Sequence, residues 1–250
     1  MSKKGKRIVF GFVAVILIIT IIISANIFMQ NKNVSKLNLS ITYNNTDTIL
    51  SSNEINIMLI NAFGNISSKK RKEVYEEKIE KYLKENPYVE DAKVYQTLNG
   101  EVNIDIKQRE PIVRIYTKNN KSYYVDKKKK VIPINQGEIT DVVVASGRIN
   151  PSSEKDISKI YDLATKLEED SILKYQIDQI YFSNKDEEVE LIPKIGNYTI
   201  KINIKDSLEE QLTKLHLLYK EGFVINGWNN YDNIDLRFKN QVVCRKPQKS

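Results

Sequence analysis

The chain has 250 residues, 41% of them hydrophobic, enough for one large domain or two small ones. Its formal charge of +7 comes from 39 lysines and arginines against 32 acidic residues. Lys3, Lys4, Lys6 and Arg7 hold four of these positive charges and no acid precedes Asp47. The remaining 39 − 4 = 35 basic groups nearly balance the acids, which argues against a nucleic-acid surface; the single cysteine, Cys244, excludes an internal disulfide and a cysteine-based metal site.

Residues 8–28 read IVFGFVAVILIITIIISANIF, without a charge. About 20 apolar residues cross ~30 Å of hydrocarbon. The basic tail before them keeps residues 1–7 in the cytoplasm and sends the bulk of the chain across the membrane. A cleaved signal peptide is the competing reading. It needs a shorter apolar run of about 7–15 residues followed by a small-x-small site, and Ser24-Ala25-Asn26 lies inside the run.

Beyond the anchor, Leu37, Leu39 and Ile41 alternate with polar residues, which predicts a strand. Ser51 with Glu54 forms a capping box ahead of an apolar stripe of Ile55, Met58, Leu59 and Ala62, and Gly64 is the expected stop. A second helix is expected over 68–85, with stripe Tyr75, Ile79, Tyr82 and Leu83. Asn86-Pro87 ends it, because proline disfavours helix in the residue before it. Val94 and Leu98 are expected on one face of a strand. Asn99-Gly100 is a hairpin signal, and Val102, Ile104 and Ile106 form the returning strand. Residues 36–110 thus read β-α-α-β-β, about the smallest unit that buries its own core.

From Pro111 on, strands dominate. They are expected over 112–116, 122–125, 131–134, 142–145, 179–182, 188–192 and 198–204. Helices are expected over 154–169, capped by Ser153, and over 207–220, ended by Gly222. The segment then closes on YDNIDLRFKNQVVCRK, with Ile234, Leu236 and Phe238 alternating against charged residues. A tight turn at Lys239-Asn240, where asparagine tolerates positive φ, leads to a short strand over 241–244. The overall expectation is an α+β chain: one N-terminal transmembrane helix, a small β-α-α-β-β domain over 36–110, and a mainly antiparallel β-domain over 111–246 with two or more helices.

The order strand–helix–helix–strand–strand just outside an anchor resembles a POTRA module. The phrases NPYVEDAKVYQTLNG, IDIKQREPIVRI, SYYVDKKKKVIPI and YDNIDLRFKNQVVCRK, in this order, resemble the bacterial cell-division family FtsQ/DivIB. Lys127 to Lys130 stand where that family often has a glycine-containing turn. The resemblance implies a non-enzymatic scaffold at the division septum, in the cell's inner membrane, with its bulk in the periplasm or outer zone. The implied partners are small single-pass coiled-coil division proteins of the FtsB or DivIC type together with FtsL, and through them the septal peptidoglycan synthases.

Little in the chain reads as chemistry. His216, the one histidine, sits beside Leu212 and Leu215 as an ordinary helical residue. A sortase-type pair with Cys244 lacks the threonine-leucine context of that family. Ser152 with Lys155 has the spacing of a serine–lysine hydrolase near a helix start, but a capping serine and a solvated lysine explain it far better. A membrane-anchored extracytoplasmic hydrolase is the alternative to the scaffold. The acidic runs at Glu168, Glu169, Asp170 and at Asp186, Glu187, Glu188, and the lysines 127–130, read as solvated turns. No catalytic residue, metal or cofactor is expected.

Interaction remains. POTRA modules expose strand edges, and strand addition is their natural mode of contact. Open edges are usually shortened, charged or covered. Here Arg245, Lys246 and Pro247 limit pairing, yet residues 241–244 form a small uncharged edge. The family resemblance implies that Phe238, Asn240, Gln241, Val242, Val243 and Cys244 line the partner strand, with Arg245 near an acidic partner residue. A second interface is expected on an exposed strand carrying Val102, Ile104 and Gln108, with Arg109 beside it.

Overall fold

The computed structural model describes residues 3–43, 49–134, 140–183, 187–228 and 230–247. Asp186 of the second acidic run lies outside them. The chain divides into two compact units, Met1–Gln108 and Arg109–Ser250.

The first unit begins with α1 (Lys3–Gln30), whose stretch Phe10–Gln30 has mean hydropathy 2.8 and no residue buried inside the protein. At 1.5 Å per residue those 21 residues cover the ~30 Å of a bilayer core. Strand β1 (Lys36–Thr42) leads to α2 (Ser52–Phe63), where the capping box of Ser51 and Glu54 is formed and Gly64 turns out at φ 74°. Helix α3 (Glu76–Glu85) is followed by β2 (Val89–Gln96) and β3 (Glu101–Gln108). The sheet order is β1-β3-β2, parallel between β1 and β3 and antiparallel between β2 and β3. Ile55, Leu59, Ile79, Leu83, Val102, Ile104 and Ile106 supply its core.

Two expectations fail here. The second helix starts eight residues late because tertiary bonds claim its intended first turns. The Val34 N–H donates to the Lys69 carbonyl and the Arg71 N–H to the Lys32 carbonyl. The buried Arg71 guanidinium donates to the carbonyls of Thr97 and Leu98 and to Gln96. Residues 66–68 and 71–73 form 3₁₀ turns instead. Leu98, expected beside Val94, is 85% exposed, because it belongs to the hairpin turn and not the strand.

The second unit is a nine-stranded sheet. Its first strands are β4 (Pro111–Tyr116), β5 (Ser122–Asp126), β6 (Val131–Pro133) and β7 (Val143–Gly147). Helices α4 (Glu154–Glu169) and α5 (Leu173–Gln176) follow. Then come β8 (Ile177–Phe182), β9 (Glu188–Pro193), β10 (Thr199–Asn203), α6 (Leu208–Leu217), α7 (Phe223–Asn226), β11 (Asn233–Asp235) and β12 (Val243–Arg245). The order is β12-β11-β10-β9-β8-β7-β4-β5-β6, and most neighbours are antiparallel.

Three neighbour pairs are parallel. β7 and β8 are joined by the crossover helix α4, and β10 and β11 by α6, whereas β4 and β7 are joined through β5 and β6. A pattern therefore repeats: strand, crossover helix, parallel strand, antiparallel strand. β7-α4-β8-β9 is one copy and β10-α6-β11-β12 the other. The core joins Ile160, Leu163 and Leu167 of α4 and Leu215 of α6 to Ile180, Leu191, Ile200 and Ile234 of the strands.

Gly222 does not end α6. Residues 218–222 continue as a wide π-helical turn, with Gly222 in helical conformation, and Gly227 at φ 77° closes α7. The aromatic cluster around Phe223, with Tyr219 at 5.1 Å and Trp228 at 5.0 Å between ring centres, holds the chain helical past the glycine. In the lysine turn, Lys129 adopts φ 60°. The Asp126 carboxylate accepts the N–H groups of Lys128 and Lys130, which offsets the absence of glycine.

Candidate partner-docking rim

Strand β12 is the outermost strand at one end of the large sheet. Among the described residues it pairs with β11 alone: Asn233↔Arg245, Ile234↔Cys244 and Asp235↔Val243. The side chains alternate as a half-buried strand requires. Val242 and Cys244 pack on the core, while Val243 is 43% exposed and Arg245 is exposed. Burial pushes the Cys244 thiol above its ordinary pKa, which disfavours the thiolate a nucleophile needs.

The expected two-residue turn is a longer loop. Only Asn233–Asp235 and Val243–Arg245 are strand, because residues 236–240 are drawn onto α6. Lys214 Nζ donates to the carbonyls of Leu236 and Phe238, both at 2.7 Å. The Asn240 N–H donates to Glu210 Oε1 at 3.2 Å. Asn240 does take positive φ, at 55°. Leu236 is fully buried, while Phe238 is 47% exposed.

Beneath the rim, Arg237 grips Asp235 with two bonds of 2.8 and 2.6 Å and reaches Glu188 at 2.7 Å. Burial pushes the Asp235 carboxyl up, but the Arg237 bonds outweigh it and hold it below the usual carboxylate range. The same bonds to Asp235 raise Arg237. Sequence reasoning missed Lys214, Glu210 and Arg237 as supports of the rim. Arg237 is adjacent enough to Asp235 to have been found. Lys214 lies 22 and 24 residues from the carbonyls it serves and has no local signal.

The second expected interface is corrected. β3 is the middle strand of its sheet, with a neighbour on each side. Val102 and Ile104 are fully buried and Gln108 is 2% exposed. The Gln108 side chain accepts the N–H groups of Ile49 and Leu50. Arg109 pairs with Asp126 at 2.7 Å. These side chains are internal and do not form a contact face.

The remaining chemical candidates are dispersed. His216 Nδ1 lies 2.8 Å from Asp170. Glu187 pairs with Lys205, and Glu188 with Arg237 and Lys201. Ser152 and Lys155 line a surface cleft of about 590 Å3 with Lys129 and Ser158. Lys129 Nζ is 2.9 Å from Ser158 Oγ but also 3.2 Å from the Asp162 carboxylate, so it is shared between the two.

A long apolar N-terminal helix, a β-α-α-β-β unit and a mostly antiparallel sheet with an open rim define a class: a single-pass, POTRA-bearing protein. The comparisons agree. Residues 20–107 match a POTRA-like domain, and residues 110–245, more than half of the chain, match the FtsQ/DivIB C-terminal related domain. The chain belongs to the FtsQ/DivIB family of cell-division proteins, whose domains imply a division-scaffold role. No curated protein matches it.

Proposed function

We propose that this protein is a non-enzymatic divisome scaffold that accepts a strand from a small coiled-coil division protein, of the FtsB or DivIC type with FtsL, along β12. It thereby ties that partner to the septal peptidoglycan synthases. The carrying observation is that β12 has one neighbour within the described residues. Its outward positions, Val243 and Arg245, together with Phe238, Asn240 and Gln241, are exposed, while Val242 and Cys244 support the strand from below.

The repeat in the sheet supports the direction of pairing. β12 occupies in the second copy the place that β9 has in the first, and β9 gives its other edge to the antiparallel β10. An incoming strand on β12 then runs antiparallel to it. The reading divides the chain into a cytoplasmic tail 1–7, an anchor 8–28, a POTRA domain 36–110 and a β-domain 111–246, with the outer part at the septum.

The test is capture of the coiled-coil partner by the full chain and by its Val243→Pro variant. Proline at Val243, whose backbone faces Asp235 of β11, loosens the outermost strand, so capture drops while the rest of the sheet keeps the thermal midpoint near wild type. Unchanged capture with an intact fold sinks the reading. The alternative, a membrane-anchored Ser/Lys hydrolase, is separated by a fluorescent probe for serine or cysteine nucleophiles: a scaffold stays unlabelled.

A further inference from the structure

A second surface lies where the anchor meets the first unit. α1 ends at Gln30, and within the next four residues the backbone is already paired. Arg71 N–H donates to Lys32 O at 3.0 Å and Val34 N–H to Lys69 O at 2.9 Å. Asn33 bridges Lys70, and Ser35 N–H donates to Gly100 O at 2.9 Å. The segment Lys69-Lys70-Arg71-Lys72 is therefore held at the foot of the membrane helix. Cα atoms of α1 and of residues 71–73 come within 8 Å of one another, inside about one Debye length.

Arg71 is buried and spent on carbonyls of the hairpin turn. The other cations face outward: Lys32, Lys36, Lys70 and Lys72 are exposed and Lys69 is half-buried. Lys32 Nζ lies 4.9 Å over the ring of Phe28, as a snorkelling lysine at a membrane boundary does. Carboxylates adjoin the patch but are outnumbered by its five lysines: Glu101 lies across the sheet from Lys36 and accepts from Asn38 at 3.1 Å. Glu73 accepts the Lys70 backbone N–H at 3.0 Å, and Glu76 accepts from Gln96 at 3.0 Å.

We propose that Lys32, Lys36, Lys69, Lys70 and Lys72 form a collar that binds the anionic phosphate headgroups of the bilayer holding α1. The collar fixes how the POTRA-like unit stands on the membrane surface. Basic segments beside a membrane helix are attracted to anionic lipid only within about a Debye length, and here backbone hydrogen bonds impose that proximity on a run 39 to 42 positions after Gln30 in the sequence. The proposal rests on α1 spanning the membrane and is independent of the β12 rim.

The experiment uses the full chain in lipid nanodiscs of pure phosphatidylcholine or with added phosphatidylglycerol. An amine-reactive ester labels lysines, and mass spectrometry reads the rates at Lys69, Lys70 and Lys72 against the exposed Lys118 and Lys155. Labelling of the collar is expected to slow about fivefold in the anionic discs, the factor one such charge contributes near the surface, and to recover in high salt. Lys70→Gln with Lys72→Gln weakens the protection of Lys69, whereas the Lys→Arg pair retains it. Equal rates in the two disc types overturn the proposal. So does equal protection by soluble glycerophosphate in neutral discs, which marks a small-anion site. A chain that fails to enter either disc removes the anchor itself, an outcome distinct from both.

Discussion

Strands β3 and β12 both alternate more buried with more exposed side chains, yet they hold opposite places in their sheets. β3 lies between β1 and β2, and its apolar residues Val102, Ile104 and Ile106 are each exposed by 1% or less. β12 has one neighbour among the described residues, and its central support, Cys244, is only half-buried. Alternation reports which face of a strand is apolar. It carries no information on how many strands flank it, and that number decides whether the strand can receive a partner.

The sharpest way to break this comparison is at the middle of β3. Ile104→Ala removes a fully buried side chain and is expected to cost about 2–5 kcal/mol, read as a shift in the urea midpoint. A loss under about 1 kcal/mol would mean that β3 is no core strand. Next in size, Lys214→Met strips the donor from the Leu236 and Phe238 carbonyls. It is expected to cost about 1–3 kcal/mol and to speed hydrogen exchange in residues 236–242, loosening the rim while leaving β3 unchanged.

A smaller effect concerns pH. Burial pushes the Asp170 carboxyl up, but the N–H groups of Leu173 and Ile172 and the His216 ring outweigh it and hold it low. Asp235 is held low by Arg237 against the same burial effect. A carboxyl depressed on folding contributes stability that is fully present above its unfolded value of about 3.9 and lost as pH falls through the lower folded value. Urea midpoints taken below about pH 4 should therefore fall, and Asp235→Asn should flatten the decline. A profile identical to wild type in that variant would remove Asp235 from the rim's support. The smallest expected effect is Val243→Ser, an outward position whose loss stays within about 0.5 kcal/mol on the same urea assay. A larger cost would show that the rim is covered.

Much of this architecture was legible. Ser51 with Glu54 and Ser153 marked helix starts that the structure keeps, since a cap acts on the turn beside it. The residues Phe238 to Arg245 come together on one hairpin. What failed were a helix start overruled by distant partners, residues 69–71 drawn to residues 32–34, and the stop at Gly222, carried through by the aromatic cluster about Phe223.

The amino-acid order by itself determined the long apolar N-terminal helix, most of the strand and helix content, and the family, because hydropathy and capping act over a few neighbouring residues. Only the tertiary structure decided that β3 is enclosed and β12 is a rim, and that Lys214 and Glu210 hold the rim loop. Sheet order and such long-range hydrogen bonds depend on which segments meet in space, and no local pattern of side chains encodes that.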